Sequence, residues 1–195
     1  DIKGINPWLK LAGQTLAALV AALLSIRVEF LTNPWDGIIF LGGLSLPVTV
    51  LWLVGITNAM NLIDGLDGLA AGVATIAGAT LAAVAWLKGQ VPAAVTALAL
   101  AAAAAAFLRF NFHPAKVFMG DSGAMFLGFN LAALAVIGTA KSTTALSLLV
   151  PVLALGLPIL DTSWAIFRRL SHGQPVFRAD KEHLHHRLLQ LGLDQ

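Results

Sequence analysis

Apolar stretches about as long as a membrane-spanning helix recur along this chain, separated by short polar breaks, and that rhythm constrains the fold most. Six such stretches lie near residues 8–26, 44–60, 68–87, 91–108, 122–140 and 144–167, and a helix needs roughly 20 mainly apolar residues to cross a bilayer. Breaks fall at the turn-forming sequences TNPWDG, KGQVP, NFHPAKVFMGD and AKSTT. Composition agrees, with 58% of the 195 residues hydrophobic and 11% charged, where soluble domains carry about 25% charged residues. The expected fold is all-α: a polytopic membrane helix bundle of about six transmembrane helices in residues 1–170, then a cytoplasmic interfacial helix in residues 171–195. The alanine run 101–106 sits inside one span, where small residues let helices approach closely. No soluble domain and no internal repeat stands out. The chain has no Cys, which excludes disulfides and thiolate metal sites. Its net charge of +2 is too small to point to nucleic acid. No signal peptide precedes the first apolar stretch, and the chain is expected to begin inside a longer protein.

Charge sets the expected topology. With Lys3 and Lys10 cytoplasmic, six spans place Arg109, Lys116, Arg168, Arg169, Arg178, Lys181 and Arg187 on the same side, and only Arg27, Lys88 and Lys141 opposite. Nine against three matches the positive-inside bias. Trp86 and Trp164 lie close before basic residues and fit as interface anchors. The polar clusters then converge on one surface: Asp1, NAMNLIDGLDG (58–68), NFHPAKVFMGDSG (111–123) and DKEHLHHRLLQLG (180–192). A site for a charged, water-soluble substrate is built in this way.

Each cluster has a plain reading and a chemical one. Asp64 and Asp67 are three apart and on a helix would share a face. They form either a solvated helix end or a functional carboxylate pair at the membrane boundary, where charge is costly unless it serves a purpose. Gly65 and Gly68 would let backbone approach a ligand. Pro114 breaks helix and Gly120 frees the backbone, so Asp121 is expected at a loop-to-helix junction, as a cap or as a ligand. Carboxylates with amide oxygens suit Mg²⁺, which uses one or two carboxylates plus substrate phosphates. Lys116 and Arg109 are placed either to meet phosphate or only to satisfy the charge bias.

The tail projects as an amphipathic helix. Leu184, Leu188 and Leu191 form an apolar stripe, with His183, His186, Arg187 and Gln190 opposite and His185 toward the edge. It is either a basic interfacial helix or one that presents imidazoles and a guanidinium to phosphate. A histidine-ligated di-iron centre needs many more than the five histidines present.

At these residues the chain resembles the polyprenyl-phosphate N-acetylhexosamine-1-phosphate transferases. NAMNLIDGLDGLAAG resembles the family's Asn/Asp motif, NFHPAKVFMGDSGAMFLGF its aspartate loop and HLHHR its cytoplasmic histidine loop, in matching order and spacing from Asp1 to about Gly192. HLHHR is similar to the branch that uses UDP-N-acetylglucosamine and undecaprenyl phosphate, since muramoyl-pentapeptide transferases usually carry an uninterrupted histidine run. Lys10–Gln14 supplies the family's K-x-x-x-Q pattern, and Asp1 stands where the second of two adjacent aspartates belongs. The first is absent, and family members have around ten spans, so the chain looks like a C-terminal portion.

The resemblance implies a Mg²⁺-dependent transfer of sugar-1-phosphate from a UDP-N-acetylhexosamine to polyprenyl phosphate, with release of UMP, at the cytoplasmic face of a bacterial inner membrane. It implies Asp121 and Asn61 as metal ligands. Asp1, Asp64, Asp67, Asp121, His183, His185 and His186 are the implied catalytic set, with Asp1 at the position of a base. Lys10, Asn58, Gly65, Leu66, Asn111, Lys116, Phe118 and Arg187 are implied substrate contacts, Phe118 as a stacking partner for uracil. The expected partners are the nucleotide sugar, the lipid phosphate and the bilayer, without nucleic acid; a homodimer stays open. The competing reading is an ion-coupled transporter, which would place its charges near the bilayer midplane.

Overall fold

The computed structural model describes residues 6–32, 37–139 and 155–171. Helix α1 (Pro7–Leu23) starts where Asn6 accepts the Trp8 amide on Oδ1 at 3.0 Å and Pro7 supplies a preset φ at the first helical position. A two-stranded antiparallel hairpin follows, β1 (Phe30–Thr32) with β2 (Ile38–Phe40), in the register Phe30↔Phe40 and Thr32↔Ile38. A 3₁₀ turn at Gly42–Leu44 leads into α2 (Ser45–Ile63). Three more long helices follow, α3 (Leu69–Leu87), α4 (Val91–Asn111) and α5 (Gly120–Thr139), and then α6 (Gly156–Ser171).

Four helical stretches are long and apolar enough to cross a membrane: Gly42–Ile63, Leu69–Leu87, Val91–Asn111 and Gly120–Gly138. They correspond to four of the six expected segments. The first expected segment is the shorter apolar helix α1, of 17 residues. The last, 144–167, lies partly outside the described residues, and only α6 represents it. The hairpin is a departure from the all-helical expectation: the TNPWDG break joins two short strands whose Phe30 and Phe40 rings meet edge to face at 6.3 Å.

The helices pack through small residues and turn large ones outward. α3 lies along α4 and α2 along α5, while α1 and α6 pack on α2. A Cβ on Gly78 of α3 would stand 3.0 Å from the Ala101 Cβ of α4, and one on Gly128 of α5 would stand 2.9 Å from the Thr57 Cα of α2. Ala74, Ala77, Ala97, Ala101 and Ala104 are buried, whereas Leu51, Ile76, Leu98 and Phe126 are exposed. A bundle that keeps small side chains inside and apolar bulk outside is built for a lipid solvent, which offers no hydrophobic drive between helices. Polar groups close locally for the same reason. The hydroxyls of Thr15, Thr49, Thr57, Thr75, Thr80 and Thr96 each donate to the carbonyl four residues back, and Trp52 Nε1 donates across to the Ala132 carbonyl at 3.1 Å.

Contacts between helix termini give the chain direction. The starts of α1 and α5 meet the end of α2 through Lys10, Asp121 and Asn61, and the start of α3 meets the end of α4 through Gly68 and Asn111. At the opposite end, just beyond α1, the Val28 amide donates to Thr49 in the first turns of α2. The helices therefore run up and down, and five of their termini gather at one end of the bundle.

Candidate active site

The α2–α3 connection falls between two of the expected apolar stretches, and Asp64 and Asp67 do not lie on a helix there. Helix α2 stops at Ile63, residues 64–68 form a turn, and Gly68 takes a positive φ of 76°. A side chain there would be strained in that conformation and would also press on Leu108 Cδ1 at 3.1 Å. The two aspartates thus occupy different parts of a tight turn instead of one helix face. Asp64 sits at the end of α2, half-buried, and burial together with the negative charge of Asp121 pushes its carboxyl up to about 6.

Asp121 lies in the first turn of α5, where the helix dipole favours negative charge. Its Oδ2 forms an ion pair with Lys10 Nζ from α1, and its Oδ1 accepts from Asn61 Nδ2 of α2 at 2.9 Å. Three helices therefore meet on one carboxylate, with a second carboxyl, Asp64, close enough to feel its charge. Among the described residues no group of three or more His, Asp or Glu closes on a point. A cation bound here would draw on Asp121 and Asp64 and complete its shell with substrate and water oxygens, and the hard oxygen donors fit Mg²⁺. Asn61 turns its amide nitrogen to Asp121; a half-turn about its last bond would offer the oxygen.

One helical turn deeper lies a second polar layer from the same three helices. Gln14 Oε1 accepts from Asn58 Nδ2 at 2.7 Å, and Gln14 Nε2 meets the Met125 sulfur at 3.1 Å. Lys10 and Gln14, and Asp121 and Met125, are each four apart, while Asn61 and Asn58 are three apart, so each helix gives one residue to each layer. Asn58, expected at the substrate, is placed in this supporting layer.

The third cluster joins the α2–α3 turn to the α4–α5 loop. Asp67 Oδ2 accepts from the Ala115 amide at 2.9 Å and meets His113 Nδ1 at 3.1 Å. The backbone hydrogen bond first, then His113, hold its carboxyl below the usual range against an opposing effect of burial. Asn111, 3% exposed, accepts from the Gly68 amide at 3.1 Å and donates to the Val117 carbonyl at 2.9 Å. Both ends of its amide are spent on backbone, so it holds the loop in place. Gly65, Lys116 and Phe118 are exposed and Leu66 partly so, with Phe118 at 74%.

Asp1, His183, His185, His186 and Arg187 lie outside the described residues. Sequence reasoning passed over His113 and Met125, and did not pair Asn58 with Gln14. The signal available for His113 was an imidazole within the same polar loop as Asp121.

Residues 1–139 match glycosyl transferase family 4. The chain is 49% identical, over 166 residues, to a probable undecaprenyl-phosphate N-acetylglucosaminyl 1-phosphate transferase of Bacillus subtilis, covering 85% of this chain and 45% of that protein. It is 39% identical over 214 residues to a decaprenyl-phosphate N-acetylglucosaminephosphotransferase of Mycobacterium tuberculosis, covering 98% and 53%. A phospho-N-acetylmuramoyl-pentapeptide-transferase of Shouchella clausii is 38% identical over 193 residues, covering 95% and 57%. The chain spans about half the length of these curated relatives. The chain belongs to glycosyl transferase family 4.

Proposed function

We propose that the protein transfers N-acetylglucosamine-1-phosphate from UDP-N-acetylglucosamine to undecaprenyl phosphate, releasing UMP, on the cytoplasmic face of a bacterial inner membrane. The observation that carries this reading is the meeting of Lys10, Asn61 and Asp121 beside Asp64 at one end of an apolar bundle. A lipid phosphate and a water-borne nucleotide sugar can share a site only at such a boundary.

An oxygen of the lipid phosphate attacks the β-phosphorus of the UDP-sugar. The new P–O bond forms as the bond to the UMP oxygen breaks, and UMP leaves with that electron pair. A phosphate monoester has a second pKa near 6, so the attacking oxygen is largely deprotonated at neutral pH. The main obstacle is then the approach of two anions. Lys10 brings a fixed cation to the carboxylate of Asp121, and Asn61 holds that carboxylate from its other side. Asp121 and Asn61, with Asp64 beside them, would hold a Mg²⁺ ion that supplies charge neutralisation at the two phosphates. Asp67, Gly65 and Leu66 form the nucleotide side, where exposed Phe118 offers a ring to a base and Lys116 a cation. The relatives named for N-acetylglucosaminyl phosphate transfer support this sugar over the muramoyl alternative.

The test is UMP release by membranes carrying the full-length protein, given a short polyprenyl phosphate, Mg²⁺ and, in turn, several UDP-N-acetylhexosamines. Release with UDP-N-acetylglucosamine and failure of the others is the expected result. Ion flux without UMP release from any donor would establish the transporter reading instead. Among the described residues the ionisable pairs stand at helix ends and away from the span centres, which favours the transferase.

A further inference from the structure

Asp67 and His113 are 46 residues apart in sequence and meet across two connections. One carboxylate oxygen, Oδ2, takes both the Ala115 amide and the imidazole Nδ1, at 2.9 and 3.1 Å. An ionised carboxylate only accepts, so Nδ1 is the nitrogen that carries hydrogen in this pair. Two donors on one oxygen fix the plane of the carboxyl group and leave Oδ1 without a hydrogen bond to the described residues. The loop has ties besides the imidazole. Buried Asn111 ties Gly68 to Val117, and the amides of Lys116 and Val117 close on the Phe110 carbonyl at 2.8 and 3.3 Å. The His113 side chain is 45% exposed. Its polar contact is with Asp67, so its work lies in where that carboxylate points.

We propose that His113 is a positioning residue that aims Asp67 Oδ1 at a hydrogen-bond donor on the nucleotide, and so sets the affinity for the UDP-sugar. The proposal rests on reading the Asp67 turn as the nucleotide side. The chemistry suits a uracil ring, whose imide N–H donates where cytosine presents an acceptor. A carboxylate held in one orientation favours uracil and repels cytosine, since a buried acceptor facing an acceptor leaves both unpaired.

The test compares wild type with His113→Ala and His113→Asn in full-length protein, reading KM and kcat for UDP-N-acetylglucosamine and, separately, the binding of UMP and CMP to purified protein by calorimetry. His113→Ala is expected to raise KM and the UMP dissociation constant about tenfold, with kcat held within about threefold and an unchanged Tm. His113→Asn, whose amide N–H reaches nearly the place of Nδ1, should recover most of the loss. Wild type should prefer UMP over CMP, and His113→Ala should narrow that preference. An unchanged UMP affinity in His113→Ala, or an Asn variant no better than Ala, overturns the proposal, as does a fall in Tm that accounts for the loss. Wild type that binds UMP but releases none from any UDP-sugar refutes the transfer reaction and leaves His113 to be judged on binding. Wild type that binds no UMP refutes the nucleotide reading of the turn and the role of His113 with it.

Discussion

Asp121 has one oxygen on an ammonium group and the other on an amide, so exchanging a single atom separates charge from shape. Asp121→Asn keeps the size and loses the anion. Turnover is expected to fall at least a hundredfold, and the Mg²⁺ midpoint of any residual UMP release should move to higher concentration, because a neutral amide is a poorer ligand. Wild-type activity with an unmoved midpoint would reduce Asp121 to a first-turn helix acid. Asp64 makes a different prediction, through pH. Its folded-state pKa of about 6 lies above the ordinary 3.8. The native form therefore holds its proton where the unfolded chain has lost it. That contribution is fully present below 3.8 and is lost as pH rises toward 6. In metal-free buffer the Tm of wild type minus that of Asp64→Asn should grow as pH is lowered from 7 to 4.5. A flat difference would mean that Asp64 is solvated. Carboxylates in so apolar a chain announce themselves, which is why Asp64, Asp67 and Asp121 were legible in sequence. Their partners were not: which donor meets Asp67 is decided by how two loops cross, and nothing local in NFHPAK marks His113 over Lys116.

Helix pairs are set by a few missing side chains. At Gly128 a Cβ would press on the Thr57 Cα at 2.9 Å and the Ile56 carbonyl at 3.1 Å. Backbone cannot swing aside as a side chain can, so α5 must part from α2. Gly128→Ala gains up to about 1 kcal/mol in helix propensity and loses about 1–3 kcal/mol to overpacking. The expected result is a lower Tm and weaker activity, because the same two helices carry Asn61 and Asp121. A raised Tm would show that the crossing has slack. At Gly72, where a Cβ meets nothing within 4 Å, Gly72→Ala should leave Tm unchanged or raise it slightly. Hydropathy revealed the positions of the four long helices because lipid imposes the same demand on every turn. The hairpin escaped notice, being three residues per strand, too short for alternation to register. The break between the second and third apolar stretches was legible, but its form was not: a three-residue spacing fits a helix equally well, and the positive φ of Gly68 marks the turn.

The whole molecule is two-ended, with Lys10, Arg109 and Lys116 near the end that holds the carboxylates and Arg27 and Lys88 near the other. These 195 residues hold no cysteine, so single reporters can be placed in them, with any cysteine elsewhere in the full-length protein first replaced. In intact cells Gln90→Cys is expected to react with a membrane-impermeant maleimide, and Lys116→Cys only after permeabilisation. The reverse pattern would turn the proposed orientation over. Charge asymmetry made this polarity readable in sequence, whereas the meeting of three helices on one carboxylate needed the fold. That meeting also has a timetable. Lys10 and Asp121 are 111 residues apart, and synthesis proceeds at about 5–20 residues per second, so the lysine waits roughly 6 to 22 s for its counter-ion. During that interval the ammonium on α1 lacks this partner, and a long lysine stem lets it reach for water and headgroups. The emergence of α5 relieves it, so the last of the three helices to be made is the one that locks the first in place.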